Sequence, residues 1–192
     1  QSQWALNKEY DRRGRPALGT FCVDADNAAA PEDLLGAHAW PLGDDWYRSF
    51  NGADHMAREN AYDKVIFRNG FAPEDQYMLI DGLSRGGHGH YDGNAILQWT
   101  ENGRIWLGEP ETTRFASAPK LHNTVLVIRD GQSQTFPAFS SLENFVDLPD
   151  FAAARTRVAD YAGADWDRWI LWLRDDGFVV IDRVTANEPG DY

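Results

Sequence analysis

Residues 169–184 read WILWLRDDGFVVIDRV and contain two apolar runs separated by a charged turn. Each run has the length of a β-strand and falls far short of a transmembrane helix. The Asp176-Gly177 pair between them favours the positive φ that tight hairpin turns require. The stretch therefore predicts an antiparallel hairpin. Because residues 169–173 are apolar at every position, we expect them to form a central strand covered on both faces.

Similar short apolar runs recur upstream of this hairpin. They lie at residues 64–68, 77–80, 95–99, 124–128 and 153–158. An Asn-Gly pair at 102–103 and an Asp-Gly pair at 130–131 indicate further hairpin turns. Residues 125–128 are again apolar on both faces, which predicts a second buried central strand. Antiparallel strands with buried members predict two packed sheets, arranged as a β-sandwich or as a jelly-roll barrel.

The first third of the chain has no sustained hydrophobic period, because proline and glycine interrupt it. We treat residues 1–62 as an irregular lead-in segment that packs on a sandwich formed by residues 63–192. Within it, a proline followed by two acidic residues predicts a short helix over 31–37. The sequence starts without Met and ends directly after a strand-like run. We therefore expect a piece of a longer protein, with the sandwich incomplete at its C-terminal end.

Composition excludes several classes of protein. The 192 residues are 43% apolar and 13% aromatic, which is enough to build a core and too much for a disordered chain. A net charge of −12 argues against nucleic acid as a partner, since binding phosphates requires a cationic surface. No apolar run is long enough to span a membrane. The single cysteine, Cys22, cannot form an internal disulfide and leaves the redox compartment open.

The densest polar cluster, residues 84–94, reads SRGGHGHYDGN and lies between two predicted strands. In an extended backbone, His88 and His90 point to the same side, and the glycines around them allow a ligand to approach closely. Glu109 and His122 follow at predicted strand ends. Two imidazoles and one carboxylate, with one position left open, form a common zinc ligand set. The cluster therefore predicts a metal site, the alternative being ordinary loop histidines.

Five blocks of the sequence, taken in order, resemble those of heparinase II/III-like polysaccharide lyases. The blocks are residues 63–70, 87–92, 107–110, 122–125 and 178–184. The resemblance covers residues 63–192 and implies a supersandwich-like β-sandwich that follows an α/α toroid of the same protein. It also implies β-elimination, in which a base removes the C5 proton of a uronate, the 4-O leaving group departs and an unsaturated sugar remains.

The resemblance also implies roles for single residues. His88 would face the catalytic cleft, where it offsets the carboxylate charge or moves a proton. One zinc ion, mainly structural, would be bound by three residues: His90, Glu109 and His122. The family usually has Asp at the position of Glu109, but either carboxylate binds zinc. Arg85 and Tyr91 are candidates for substrate binding, Arg85 through its charge and Tyr91 as a rim aromatic. The tyrosine acid and base would come from the toroid.

The implied partner is an acidic polysaccharide or oligosaccharide, such as a glycosaminoglycan or alginate, and the implied location is periplasmic or secreted. The acidic chain requires local positive side chains, or the missing domain, to bind a polyanion. Two alternatives remain open. A metal-dependent cupin fits Gly82 and the histidine pair, but Asn94 and Ala95 stand where its glutamate belongs. A non-catalytic carbohydrate-binding or structural sandwich would use the histidines only for stability.

Overall fold

A computed structural model describes residues 21–22, 28–29, 34–84, 91–108 and 119–189. The strands are β1 (Phe21–Cys22), β2 (Ala28–Ala29), β3 (Gly36–Pro41), β4 (Tyr62–Arg68), β5 (Tyr77–Asp81), β6 (Ile96–Glu101), β7 (Arg104–Gly108), β8 (Ile128–Arg129), β9 (Gln132–Ser133), β10 (Ser141–Asp147), β11 (Phe151–Val158), β12 (Ala164–Leu173) and β13 (Gly177–Ala186). The helices are α1 (Asp44–Ser49) and the 3-10 turns Gly52–Asp54, Arg58–Asn60 and Pro119–Leu121. No helix in these ranges is long and apolar enough to cross a bilayer.

Two antiparallel sheets form the body of the molecule. One has five strands in the order β3-β4-β5-β6-β7, and the other has four in the order β10-β11-β12-β13. Apolar residues from both sheets share one core cluster, so the sheets pack face to face. This confirms the predicted mainly-β antiparallel sandwich. The five-stranded sheet also includes β3, which lies within the segment that the sequence analysis assigned to the lead-in.

Alternating burial explains why the strands form where they do. In β4, Val65 and Phe67 are fully buried, whereas Lys64 and Arg68 on the other face are only partly buried. The predicted turn at 102–103 is confirmed, because Asn102 and Gly103 both have positive φ, 54° and 70°. The turn at 130–131 is confirmed in the same way, with φ of 50° and 72°.

Two of the predicted elements are wrong. The helix expected over 31–37 is not observed in the described residues 34–37, because Gly36 already begins β3; a short helix, α1, follows instead. The central strand expected at 125–128 is also wrong, since only β8 is extended there and it pairs with β9 alone. Val127 is buried in an apolar cluster and Val125 packs against it. An apolar run can thus be buried by packing without joining a sheet.

The hairpin at the C-terminal end of the described chain is present as β12 and β13. Strand β12 lies in the interior of its sheet, and its inward residues Ile170 and Trp172 are fully buried. The outward face is not covered as expected, because Leu173 is 40% exposed and Ile181 on β13 is 50% exposed. The prediction of a strand buried on both faces therefore holds for the inner face only.

Two of the apolar clusters bear on the site, and the main one contains residues of both sheets. The main cluster consists of Ala37, Tyr62, Val65, Phe67, Met78, Ile80, Ile96, Ala152, Ala154, Ile170 and Trp172. The second cluster consists of Val127, Phe136, Val158, Tyr161, Ala164 and Trp166. Asn94, Thr156 and Arg168, which we call the polar layer, are buried and lie between the clusters along the chain. On β12, for example, Arg168 separates Trp166 of the second cluster from Ile170 of the main cluster.

Candidate functional site

The predicted site residues are only partly within the described chain. Arg85, His88, His90 and Glu109 lie outside the described residues. Tyr91 and His122 are described, and so are Ser84 and Gly93, the residues that flank residues 85–92, which we call the histidine loop. The structure therefore shows how this loop is anchored.

The two ends of the histidine loop are joined by a side-chain hydrogen bond. Gly93 donates its backbone N–H to Oγ of Ser84 across 2.9 Å, and both residues are buried. Ser84 in turn donates its N–H to the carbonyl of Ala138 at 2.9 Å. A Cβ on Gly93 would lie 2.1 Å from Ser84 Oγ, so only glycine allows this approach. The loop thus leaves and re-enters the sandwich at one point.

Asn94 continues this anchor into the polar layer. Its φ of 61° is left-handed, a conformation that asparagine adopts more readily than most residues. Its backbone N–H donates to the carbonyl of Asp81 at 2.7 Å. Its side-chain Oδ1 accepts a 2.5 Å hydrogen bond from the hydroxyl of Thr156 on β11. The end of the loop is therefore bound to both sheets.

Arg168 joins the loop to two further segments. Its Nη1 donates to the carbonyl oxygens of Asn94 at 2.6 Å and Asn123 at 3.2 Å. Its Nε and Nη2 donate to the two carboxylate oxygens of Asp182 at 2.8 and 3.0 Å. The guanidinium also lies 4.6 Å from the ring centre of Trp166. A buried arginine with this many partners fixes the relative positions of all the segments that it contacts.

His122 lies on one of these segments. It follows the 3-10 turn Pro119–Leu121 and donates its backbone N–H to the carbonyl of Pro119 at 3.0 Å. The next residue, Asn123, donates from Nδ2 to the carbonyl of Ile96 at 3.0 Å. Ile96 is the first residue of β6, the strand that begins just after the histidine loop. The structure therefore brings the backbone next to His122 to the point where the loop ends.

Tyr91 is half-buried and packs against the second apolar cluster. Its position suits an aromatic residue that anchors the returning end of the loop. Contact between Tyr91 and a substrate stays a prediction, as do the roles of the residues in the part of the loop that is not described.

A buried ion pair lies on the strand that precedes the loop. Asp81 accepts hydrogen bonds from Lys64 Nζ at 3.1 Å and from the Leu83 N–H at 3.0 Å. Burial raises the pKa of Asp81 above its ordinary value, and the attraction of Lys64 opposes part of that shift. Burial alone would lower the pKa of Lys64, but Asp81 and Asp63 together raise it. The pair favours a charged lysine at this strand end.

Two buried polar atoms near the loop have no hydrogen-bond partner in the described part of the chain: Nδ2 of Asn94 and Oγ1 of Thr124. Such atoms provide hydrogen-bonding capacity for a water or a bound group. Within the described ranges, no three His, Cys, Asp or Glu side chains come together as a metal site. Two of the three expected ligands, His90 and Glu109, lie outside those ranges.

The residues of the polar layer and their partner Asp182 were not predicted from the sequence. The available signal was a charge at an inward position of a strand, because Arg168 alternates with Trp166 and Ile170. Asp182 belonged to a block that carried the resemblance, but its partner was not identified. The pairing of Arg168 with Asp182 can be predicted only when the register between β12 and β13 is known.

Solved structures with a similar fold carry the names heparinase III and heparan sulfate lyase. A heparinase III structure matches 67% of this chain and 22% of its own, at 17% identity and a TM-score of 0.52. A heparan sulfate lyase from Pedobacter heparinus matches 82% of this chain and 30% of its own, at 16% identity and a TM-score of 0.54. A heparinase III gene product with methylated lysines matches 96% of this chain and 25% of its own, at 14% identity and a TM-score of 0.56.

These likenesses show that the chain has a heparinase-like β-sandwich fold. At such low identity they show the fold alone, and the chain spans only about a quarter of the length of these structures. No protein-family model and no curated protein matches the sequence.

Proposed function

We propose that this chain is the β-sandwich part of a polysaccharide lyase that cleaves uronic-acid-containing polysaccharide by β-elimination. The observation that carries the proposal is the anchoring of the histidine loop. Its two ends are joined through Ser84 and Gly93, and the His122 segment is bound to the same place through Asn123 and Arg168. A heparinase-like fold supports the assignment of this loop to the catalytic region.

In the proposed reaction, a base removes the proton at C5 of the uronate. The electrons of that C–H bond form a C4–C5 double bond, the C4–O bond breaks, and the departing oxygen takes up a proton. The carboxylate next to C5 gains negative charge as the proton leaves, so a positive or hydrogen-bonding partner accelerates the step. His88 is the residue we assign to this task, because imidazole titrates near neutral pH. The tyrosine acid and base belongs to the toroid.

A zinc ion is part of the proposal, bound by His90, Glu109 and His122. The donor set fits, since zinc accepts imidazole nitrogen and carboxylate oxygen. The backbone beside His122 is anchored to β6, where the loop that carries His90 ends, which favours a shared ion. When bound, zinc would supply order to the loop that presents His88. Arg85 and Tyr91 remain the proposed substrate contacts.

Elemental analysis by plasma mass spectrometry tests the zinc site in the purified chain. We expect about one zinc per chain in the wild type and a loss of the metal in His90→Ala. His38→Ala is the matched control, because His38 lies on β3 and contacts the carbonyl of Leu35 at 3.0 Å. Equal metal content in all three proteins would contradict the assignment.

Turnover of the full-length protein tests the lyase assignment. His88→Ala is expected to abolish formation of unsaturated uronate, followed by ultraviolet absorbance, while zinc is retained. Unchanged turnover in His88→Ala would support a non-catalytic sandwich. The partners implied are an acidic polysaccharide and an α/α toroid of the same protein, and the proposed location is the periplasm or the exterior.

A further inference from the structure

A cleft of about 390 Å³ lies on the outer face of the five-stranded sheet. It is lined by the loop between β4 and β5 and by the β6–β7 hairpin, including Arg68, Phe71, Tyr77, Gln98, Thr100 and Arg104. This volume lies within the range of about 300–1,000 Å³ that is usual for small-molecule sites. It is enough for one or two sugar rings.

The cleft is separate from the histidine loop. Tyr77 begins β5 at the cleft, and Asp81 ends the same strand where the polypeptide turns toward that loop. Four residues of strand separate the two, which is about 13 Å at the usual rise of 3.3 Å per residue. A ligand in the cleft therefore occupies a different place from one beside His88 or His122.

The walls of the cleft are held in position before any ligand arrives. Backbone N–H groups of Asn102 and Gly103, in the hairpin turn, donate to carbonyls of Glu74 and Pro73 in the facing loop, both at 3.0 Å. At the base of that loop, the buried Gln76 accepts a hydrogen bond from Trp172 Nε1 at 2.7 Å. Its Nε2 donates to Oε1 of Glu101, the last residue of β6, at 2.7 Å. Preorganised walls lower the entropy cost of binding.

The two arginines of the cleft differ from all others in the described residues. Arg68 and Arg104 form no ion pair with a carboxylate there, whereas every other described arginine does. Among the described residues, the two guanidinium groups without a carboxylate partner therefore both lie at this cleft, in a chain whose net charge is −12. One acidic residue, Asp75, also lines the cleft; its Oδ2 accepts a hydrogen bond from the Ala72 N–H at 2.6 Å, and its charge attracts Arg68 at a distance that forms no ion pair.

Arg68 is held in a geometry that suits an anion. Its guanidinium lies 4.0 Å from the ring centre of Tyr77 and 4.6 Å from that of Phe71. A guanidinium packed against aromatic rings presents its N–H donors at its edge, and Nη1 uses one of them for the carbonyl of Gly70 at 3.2 Å. Burial lowers the pKa of Arg68, but arginine stays charged in proteins. A bound anion would therefore compensate the guanidinium for the water that burial removes from it.

The remaining lining groups suit a sugar rather than a bare ion. Gln98 provides an amide and Thr100 a hydroxyl on neighbouring outward positions of β6, and both side-chain types hydrogen-bond to ring hydroxyls. We propose that this cleft is a second saccharide site, which binds an anionic sugar residue through Arg68 and Arg104. The proposal rests on the proposed function only for the choice of a uronate as the anionic sugar.

Calorimetric titration of the 192-residue chain tests the site. The probe is an unsulfated tetrasaccharide of alternating glucuronate and N-acetylglucosamine, and the comparator is the same tetrasaccharide with its carboxylates reduced to alcohols. Arg104→Gln is the main variant, because this side chain is exposed and makes no ion pair within the described residues. Arg48→Gln, a 74% exposed arginine on α1, is the matched control for net charge.

We expect the wild type and Arg48→Gln to bind the charged probe equally, and Arg104→Gln to bind about tenfold more weakly. Arg68→Gln should weaken binding at least as much, and added salt should weaken it in the wild type. Amide shifts at Thr100 and Gly103 in NMR spectra should locate the probe. If free glucuronate bound as tightly as the tetrasaccharide, the cleft would be a simple anion site, and the proposal of a saccharide site would be overturned.

Other outcomes also decide. No binding by the wild type, equal binding by Arg104→Gln, or equal binding of the reduced probe would overturn the proposal. The failure of the proposed function is distinguishable, because binding in this cleft requires neither zinc nor turnover. If the purified chain contained no zinc but still bound the probe through Arg104, the proposed cleft would stand and the proposed zinc site would be contradicted.

Discussion

The main apolar cluster and the polar layer occupy the same space between the sheets, yet they are built in opposite ways. In the main cluster, Trp172 is in contact with Phe67 and Phe178, with ring centres 6.0 Å apart in both cases. In the polar layer, Arg168 is bound by directed hydrogen bonds to the backbone and to Asp182. Apolar packing tolerates small shifts, whereas charge-assisted hydrogen bonds require one geometry. The sandwich therefore gains stability in one region and positions the histidine loop in the other.

Trp172→Ala should have the largest effect on stability. The side chain is fully buried, and its removal leaves a large cavity and takes away the shortest of the hydrogen bonds that Gln76 Oε1 accepts. We expect a loss of about 3–5 kcal/mol in the free energy of unfolding, measured by urea denaturation. Leu173→Ala, at an exposed position of the same strand, should cost less than about 1 kcal/mol. Similar losses for both variants would contradict this description of the core.

Arg168→Met should have a smaller effect on stability and a larger one on the loop. Methionine keeps most of the apolar stem but removes every donor, so the carbonyls of Asn94 and Asn123 and the carboxylate of Asp182 lose their bonds to Arg168. Asp182 keeps the hydrogen bond from Trp166 Nε1, and the Asn123 carbonyl keeps a 3.4 Å bond from the Ile96 N–H. The expected loss is about 2–3 kcal/mol. Amide hydrogen exchange at Ile96 and Thr124 should rise by more than this global loss explains. Arg183→Met, with a 58% exposed side chain, is the control and should leave those amides protected.

Asp167→Asn separates charge from loop anchoring, because Asp167 is next to Arg168 but on the opposite face of β12. Its carboxylate is bound by Arg155 and Arg183 at 2.8 Å each, with Arg157 at 3.9 Å. Burial alone would raise the pKa of Asp167, but these arginines together lower it below its ordinary value. The substitution should cost about 1–2 kcal/mol at neutral pH, as measured by denaturation.

The pH dependence of this variant has a defined sign. A lowered pKa means that the ionised carboxylate stabilises the native state above pH 3.8, and that this contribution is lost as the pH falls through the lower native pKa. The difference between wild type and Asp167→Asn should therefore shrink below about pH 4. A constant difference across that range, or disturbed exchange at Ile96, would contradict the separation.

Thr156→Val should have the smallest effect. Valine has almost the same shape, so the change removes the hydrogen bond to Asn94 and a longer one, of 3.4 Å, to the carbonyl of Arg168. We expect a loss of about 1 kcal/mol by denaturation, together with faster exchange of the Asn94 amide. Thr185→Val, at an exposed position of β13, is the control and should have no measurable effect. No change in either variant would mean that this hydrogen bond does not hold the loop.

The strands were predictable where the signal was local. Alternation located β4, β5 and β6 to within about two residues, and the Asn-Gly turn at 102–103 was predicted by the need for positive φ. The helix at 31–37 failed because its N-terminal signal says nothing about Gly36, which pairs with Arg68 in the sheet. The strand at 125–128 failed because apolarity indicates burial, and the second cluster provides burial without a strand partner.

The candidate site divides in the same manner. The sequence alone identified the candidate site residues, which are histidines with suitable spacing, a carboxylate and glycines. It did not identify the arginine that holds the loop, because Arg168 bonds to Asn94 and Asn123, which are 74 and 45 residues away. The outer cleft was equally hidden, since Arg68 and Arg104 come from different strands.

By itself, the sequence determined that this protein is built of antiparallel β-strands in packed sheets, because the period of two and the turn residues act over a few neighbouring positions. It also determined which side chains are available for acid–base and metal chemistry. Only the tertiary structure decided which polar residues are buried together and which arginines remain without a carboxylate. Those outcomes depend on strand register, and register is set by the packing of whole sheets, which no short stretch of sequence contains.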